Sequence, residues 1–255
     1  MTGGITDLRL SKMKGLGTLG NIALILAGSA VGLLIKGGLK QRFQDTIMSA
    51  LGLAVMFIGI VGALEGLIVV EDGKLSSSNM MLMIVSLAIG GFIGEAINIE
   101  AKLDHAGEWL KGRLKLTDGR DKGFVESFVN SSLLFCVGAM AIIGSLRDGL
   151  SADPSMLLAK GFIDGVVAIF FASSFGIGVF FSVIPVGIYQ GLITLAAGFI
   201  EPFLSERLVL NLSFIGSILI FAIGINMIFG KKIKSGNLLP AILVPIAYEI
   251  FLNIL

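Results

Sequence analysis

The chain has very few of the residues that water-soluble chemistry relies on. Among 255 residues there are one cysteine (Cys136), one histidine (His105), one tryptophan (Trp109), two tyrosines and five prolines. A lone cysteine excludes an internal disulfide, and with a single histidine no His/Cys zinc site can be assembled within the chain. Charge is scarce too: 15% of residues are charged, against about 25% in soluble domains. The formal net charge of +1 gives nucleic acid no basic face to bind. A phosphate-binding loop with Gly-Lys-Ser/Thr, a nucleophile elbow and an HExxH pair are all missing, which excludes a self-powered ATP pump and the common hydrolase chemistries. Gly15-Leu-Gly-Thr-Leu-Gly20 matches the dinucleotide glycine pattern, but no strand precedes it and it opens an apolar helix. The chain is therefore not expected to be an enzyme, and no catalytic residue, metal or cofactor is assigned.

What is abundant is apolar. Hydrophobic residues make up 55% of the chain, with 35 glycines, and the mean hydropathy is +0.95. Such a composition belongs in a bilayer, where a span needs about 20 largely apolar residues. Cutting at charge and turn clusters predicts an all-α, polytopic bundle of about eight transmembrane helices: Thr18–Ile35, Ile47–Val70, Met80–Ile97, Phe124–Leu146, two within the uncharged tract Asp164–Glu201, then Val209–Phe229 and Leu238–Leu255. The long tract is expected to divide around Ser182–Gly187, where Pro185 interrupts it. Seven spans result if Ala168–Ile193 is instead a broken or re-entrant helix. The last span is expected to kink at Pro240 or Pro245.

Counting Lys and Arg on alternate loops favours eight spans, with twelve on one side against seven on the other; seven spans reduce the bias to ten against nine. Eight spans place both termini outside and Ile99–Gly123 in the cytoplasm. Met13 would itself serve as a start, removing Arg9 and Lys12 from the outer side. The first twelve residues are polar, so no cleavable signal peptide is expected. The whole chain, 1–255, reads as one integral membrane domain with a cytoplasmic amphipathic segment at about 99–123. In it Ile99, Leu103, Ala106, Trp109, Leu110 and Leu114 fall at helical spacing opposite Lys102, Glu108, Lys111 and Arg113. This is the pattern of a helix lying at the headgroups with Trp109 as anchor, or of a helix that docks a partner.

Small residues four apart recur: Gly28/Gly32, Gly90/Gly94, Gly161/Gly165, Ala172/Gly176 and Gly187/Gly191. Inside lipid such pairs let helix backbones approach, within a chain or between copies in a homo-oligomer; they would also serve as hinges. A loose echo of Leu26–Ile60 in Leu195–Ile225 begins with spans one and six, an odd offset, and would make an inverted repeat, a transporter signature.

An ionisable group inside a span is a functional candidate by default. Asp164 is the sharpest, as a cation or proton site or as a carboxylate paired with Lys160 four residues earlier. Asp148 reads as a solvated loop residue. Followed in their predicted directions, the spans place Glu95, Glu126, Asn130, Ser174, Tyr189, Gln190 and Asn226 in the cytoplasmic half and Glu65, Asp164 and Glu249 in the outer half. Asn130, Asp164, Ser174 and Gln190 are the leading candidates for a solute or ion pathway, because converging amides, hydroxyls and a carboxylate replace a hydration shell. Glu65, Glu95, Glu126, Tyr189, Asn226 and Glu249 are secondary. Each would also serve simply to hydrogen-bond helices together.

Three stretches carry a resemblance: Gln44-Asp-Thr-Ile-Met-Ser-Ala-Leu-Gly-Leu-Ala-Val, Ser132-Leu-Leu-Phe-Cys-Val-Gly-Ala-Met-Ala-Ile-Ile-Gly-Ser-Leu-Arg-Asp-Gly149 and Phe181-Ser-Val-Ile-Pro-Val-Gly-Ile-Tyr-Gln-Gly191. From about Gly17 onward the chain resembles the YqgA/YdfK-like family of bacterial inner-membrane proteins, domain of unknown function 554. The resemblance implies a multi-pass inner-membrane location and at most a transport role, and it carries over no catalytic residues. The expectation is a secondary transporter or channel for a small polar solute or ion. The rival is a non-transporting scaffold or regulatory subunit acting through its helix faces. Either has the lipid bilayer as its surroundings.

Overall fold

The computed structural model describes residues 13–36, 40–71, 73–116, 123–201 and 205–254. Arg9, Lys12, Arg120 and Lys122, counted above in the loop charges, lie outside them. The chain runs through α1 (Leu16–Lys36), α2 (Gln41–Leu67), a hairpin of β1 (Ile68–Glu71) and β2 (Lys74–Ser77), α3 (Met80–Ile97) and α4 (Ile99–Arg113). It continues through α5 (Phe124–Cys136), α6 (Ala139–Ser151), α7 (Ser155–Phe175), α8 (Gly178–Phe181), α9 (Val183–Ile200) and α10 (Glu206–Phe229). A 3₁₀ helix, Ser235–Ile242, then leads into α11 (Leu243–Ile254). Among the described residues six helical stretches are individually long and apolar enough to cross a membrane, and α5 with α6, bent by 62°, supplies a seventh if counted as one broken span. The protein is a polytopic helical membrane protein.

The chain divides into two compact units that interleave in sequence. Unit 1 is Met1–Gln41 with Thr117–Leu204; unit 2 is Arg42–Leu116 with Ser205–Leu255.

Unit 1 is organised by the contact of α1 with α7. A Cβ added at Gly28 would fall on the Gly165 carbonyl, and one at Gly32 would stand 2.9 Å from the Ala172 Cβ. At Gly161 it would lie 2.9 Å from the Asn21 Cα. The predicted small-residue pairs of these helices thus meet each other, and close packing is what they do. The expected fourth span is broken. Val137 is extended and Gly138, at φ 129°, ψ 150°, turns the chain between α5 and α6, a conformation that favours glycine.

The uncharged tract also divides differently from the expectation. The break between the two spans falls at Gly176, φ 100°; at Ser182 one residue of helical φ/ψ separates α8 from α9, and Gly178–Ile200 forms a single span. Pro185 lies in the first turn of α9, where its missing N–H has no intrahelical partner to lose, so the helix runs on past it.

In unit 2, α2 packs on α10 through Gly52, Gly59, Gly62 and Gly66, and α3 packs on the 3₁₀ helix through Gly90 and Gly94. Phe214, Ile215 and Ala241 form the centre of its core. Pro240 lies inside the 3₁₀ helix, and the expected last span is accordingly a 3₁₀ turn followed by α11. The amphipathic segment is the helix α4: Trp109 is exposed, with the Arg113 guanidinium 5.8 Å from its ring centre.

Candidate functional site

All four leading candidates fall in unit 1, and all four are buried: Asn130 on α5, Asp164 and Ser174 on α7, Gln190 on α9. They share one unit but are spread along it. Asp164 and Ser174, ten residues apart on α7, are separated by roughly 15 Å along the axis. Of the secondary candidates in this unit, Glu126 is exposed and Tyr189 half-buried.

Asp164 is paired with Lys160, and that ion pair is almost wholly buried, with the two side chains 10% and 7% exposed. The ammonium of Lys160 also donates to the Phe135 carbonyl at 2.8 Å. Phe135 is the penultimate residue of α5, so its carbonyl is one of the acceptors a helix end leaves unpaired. Asn21 of α1 lies next to Asp164, without a hydrogen bond of ordinary geometry.

Helical spacing aligns Gln190 and Asp148 with further polar groups that the sequence reading passed over. Thr18 and Asn21 share a face of α1, Ser145 and Asp148 a face of α6, and Gln190 and Thr194 a face of α9; all are buried. Asp148, expected to be a solvated loop residue, is wholly inaccessible and part of α6; its Oδ2 accepts the Gly17 N–H at 2.9 Å, at the start of α1. The expected span stopped at Leu146, one turn short of where the helix ends. Thr194 Oγ1 donates to the Ser145 carbonyl at 3.1 Å.

Thr18 Oγ1, both polar atoms of Asn21, the hydroxyls of Ser29, Ser131, Ser145 and Ser174, Asp148 Oδ1 and both polar atoms of Gln190 have no hydrogen-bond partner among the described groups. Among the described residues of unit 2, only Ser86 Oγ shares that condition. Each unpartnered buried polar group costs about 1–3 kcal/mol, and ordered water or a polar ligand normally satisfies such groups. Thr18 and Thr194 border a cleft of about 520 Å³ between the start of α1, the end of α6 and α9, floored by Gly187, Gly191 and Gly198. Its lining does not include Asn130, Asp164, Ser174 or Gln190.

The remaining secondary candidates lie in unit 2. Glu65 is exposed on α2. Glu95 accepts from Lys234 Nζ and Asn237 Nδ2, both at 2.6 Å. Asn226 donates to the Ile233 carbonyl at 2.7 Å and to Ser235 Oγ at 3.0 Å, and accepts the Lys232 and Ile233 N–H groups. Glu249 accepts from Ser205 Oγ at 2.7 Å and Arg207 Nε at 3.0 Å, while Ser205 Oγ accepts the Leu208 N–H as the N-cap of α10. These three close loops and helix ends. Among the described residues no cluster of His, Cys, Asp and Glu has the composition of a metal site.

Long, apolar, glycine-packed helices with a break in one of them define a multi-pass membrane protein. The chain belongs to the family described as "Protein of unknown function (DUF554)", which matches residues 16–250. It is 35% identical over 230 residues to "Uncharacterized membrane protein YdfK" of Bacillus subtilis (strain 168), covering 90% of this chain and 93% of the relative. It is 31% identical over 227 residues to "Uncharacterized protein YqgA" of Escherichia coli (strain K12), covering 88% and 91%. No solved structure matches it.

Proposed function

We propose that the protein is a non-enzymatic secondary transporter or channel for a small polar solute or ion in the bacterial inner membrane, with its pathway through unit 1. The observation that carries this reading is the concentration of unpartnered buried polar atoms in that unit, on α1, α5, α6, α7 and α9. A fold gains nothing from leaving such groups unpaired, whereas a passing solute needs donors and acceptors in place of its water. Asp164, Gln190, Asn130 and Ser174 remain the pathway candidates, and Thr18, Asn21 and Asp148 join them. Eight crossings are proposed, with the bent α5–α6 pair as the fourth and the 3₁₀ helix plus α11 as the eighth, both termini outside. The echo that would make an inverted repeat relates α1–α2 to α9–α10. A homo-oligomer through glycine faces is proposed at Gly191 and Gly198, where an added Cβ would meet nothing within 4 Å.

The test is uptake and efflux in proteoliposomes across a panel of amino acids, organic acids and metal ions, wild type against Asp164→Asn and Gln190→Leu. Flux with wild type and its loss in both variants is expected. A panel in which no solute moves with wild type would remove the reading. The scaffold reading draws on unit 2, where Asn226, Glu95 and Glu249 are internally satisfied; under it, Gln190→Leu changes neither flux nor partner binding.

A further inference from the structure

We propose that the Lys160 ammonium acts as a tethered cation that holds the α5–α6 break closed. The inference rests on the transport reading for its purpose, but its geometry stands by itself.

Three acceptor or dipolar groups converge beside one position. The Phe135 carbonyl is freed because the chain turns at Val137–Gly138 rather than continuing as helix. The Asp164 carboxylate approaches from α7 and the Asn21 amide from α1. Unwound backbone carbonyls are what discontinuous membrane helices use to hold a monovalent cation, and carboxylate and amide oxygens are ligands of hard cations generally. Here the position is filled by the protein itself, since Lys160 Nζ donates to both the carbonyl and the carboxylate. Lys160 is 6% exposed, so this is no surface lysine folded back on its helix.

Without the ammonium, no described group would join the Phe135 carbonyl to Asp164, and the contact that fastens α5 to α7 would be lost. Cys136, at the break, lies beside both Lys160 and Asp164.

Cys136 is the single cysteine, half-buried at the break, and so reports on it without engineering. The full chain in proteoliposomes is labelled with N-ethylmaleimide at one neutral pH, and each rate is divided by that of the same chain unfolded in detergent. Lys160→Met should label roughly tenfold or more faster than wild type at neutral pH, in line with the loss of a charge-assisted hydrogen bond. Lys160→Arg should stay protected. In Lys160→Ala, methylammonium chloride should restore protection by refilling the position. Unchanged labelling in Lys160→Met overturns the proposal. So does fast labelling in Lys160→Arg, or in Lys160→Ala without rescue, because either would make Lys160 packing alone. None of these outcomes depends on finding a solute, so the proposal can fail while the transport reading stands, and the reverse.

Discussion

Asn226 in unit 2 and Gln190 in unit 1 are both amides, both buried, and both set in long apolar helices. Asn226 makes four hydrogen bonds to the turn that follows α10; Gln190 makes none among the described groups. The same contrast separates Glu249, locked to Ser205 and Arg207, from Asp148, with one carboxylate oxygen unpaired. Unit 2 uses polarity to close its ends, and a cleft of about 190 Å³ between α2 and α10 is lined wholly by glycine and apolar side chains. Unit 1 keeps polarity in reserve inside a tightly packed bundle.

The largest expected effect tests what the two units share, backbone packing at glycine. Gly28→Val places a branched side chain on the Gly165 carbonyl, which cannot step aside, and should cost about 3 kcal/mol or more; Gly94→Val, against the Asn237 carbonyl, should do the same in unit 2. Loss of the monodisperse peak in detergent chromatography is the readout, and normal yield from either would break the packing account.

Next comes the contrast itself. Asn226→Leu should destabilise by about 2–3 kcal/mol because it strands several loop groups, whereas Gln190→Leu should be neutral or stabilising by about 1 kcal/mol while abolishing flux. Thermal melts of the two variants, run side by side, would sink the distinction if the signs came out equal.

A smaller effect is expected at the open face of α9. Gly191→Ala should raise monomer stability by up to about 1 kcal/mol through helix propensity, and should weaken self-association where that face joins two copies. Analytical ultracentrifugation in detergent reads the second part.

The smallest effect is electrostatic. Partial burial works against the Lys231 ammonium, but its hydrogen bonds to Asp104 and Glu100 outweigh this and hold its pKa above the ordinary 10.5. Its stabilising contribution is therefore complete below pH 10.5 and lost as pH rises through the raised value. Because Lys231 is half exposed, salt should shrink the effect, and a melt of Lys231→Met that kept the wild-type loss above that pH would contradict it.

Much of the packing was legible in the sequence. Gly28, Gly32, Gly161 and Gly165 announced a close helix crossing by spacing alone, and Gly90 with Gly94 did so in unit 2. Pro185 misled, because a proline has opposite meanings in a first turn and in a helix middle, and only the true break at Gly176 tells which applies. The Phe135 carbonyl was out of reach, since every residue carries one and only the turn at Gly138 makes this one available. Thr18, Asn21, Ser145 and Thr194 were hidden differently: each looks like an ordinary helix residue until three helices bring the faces together. The units themselves are assembled from segments far apart in the chain, so no local composition marks their boundary.

The hairpin Ile68–Glu71/Lys74–Ser77 turns at Gly73, φ 72°, and is a loop on a short ribbon stalk beyond the end of α2. Such a tip accepts an epitope or a protease site with little cost to the helices behind it. Because α2 ends there and α3 starts just after, the side of the membrane on which the tip is cut sets the direction of both. By the alternation of successive crossings it then orients every other span. The one piece of sheet in the described chain thus serves as its compass needle.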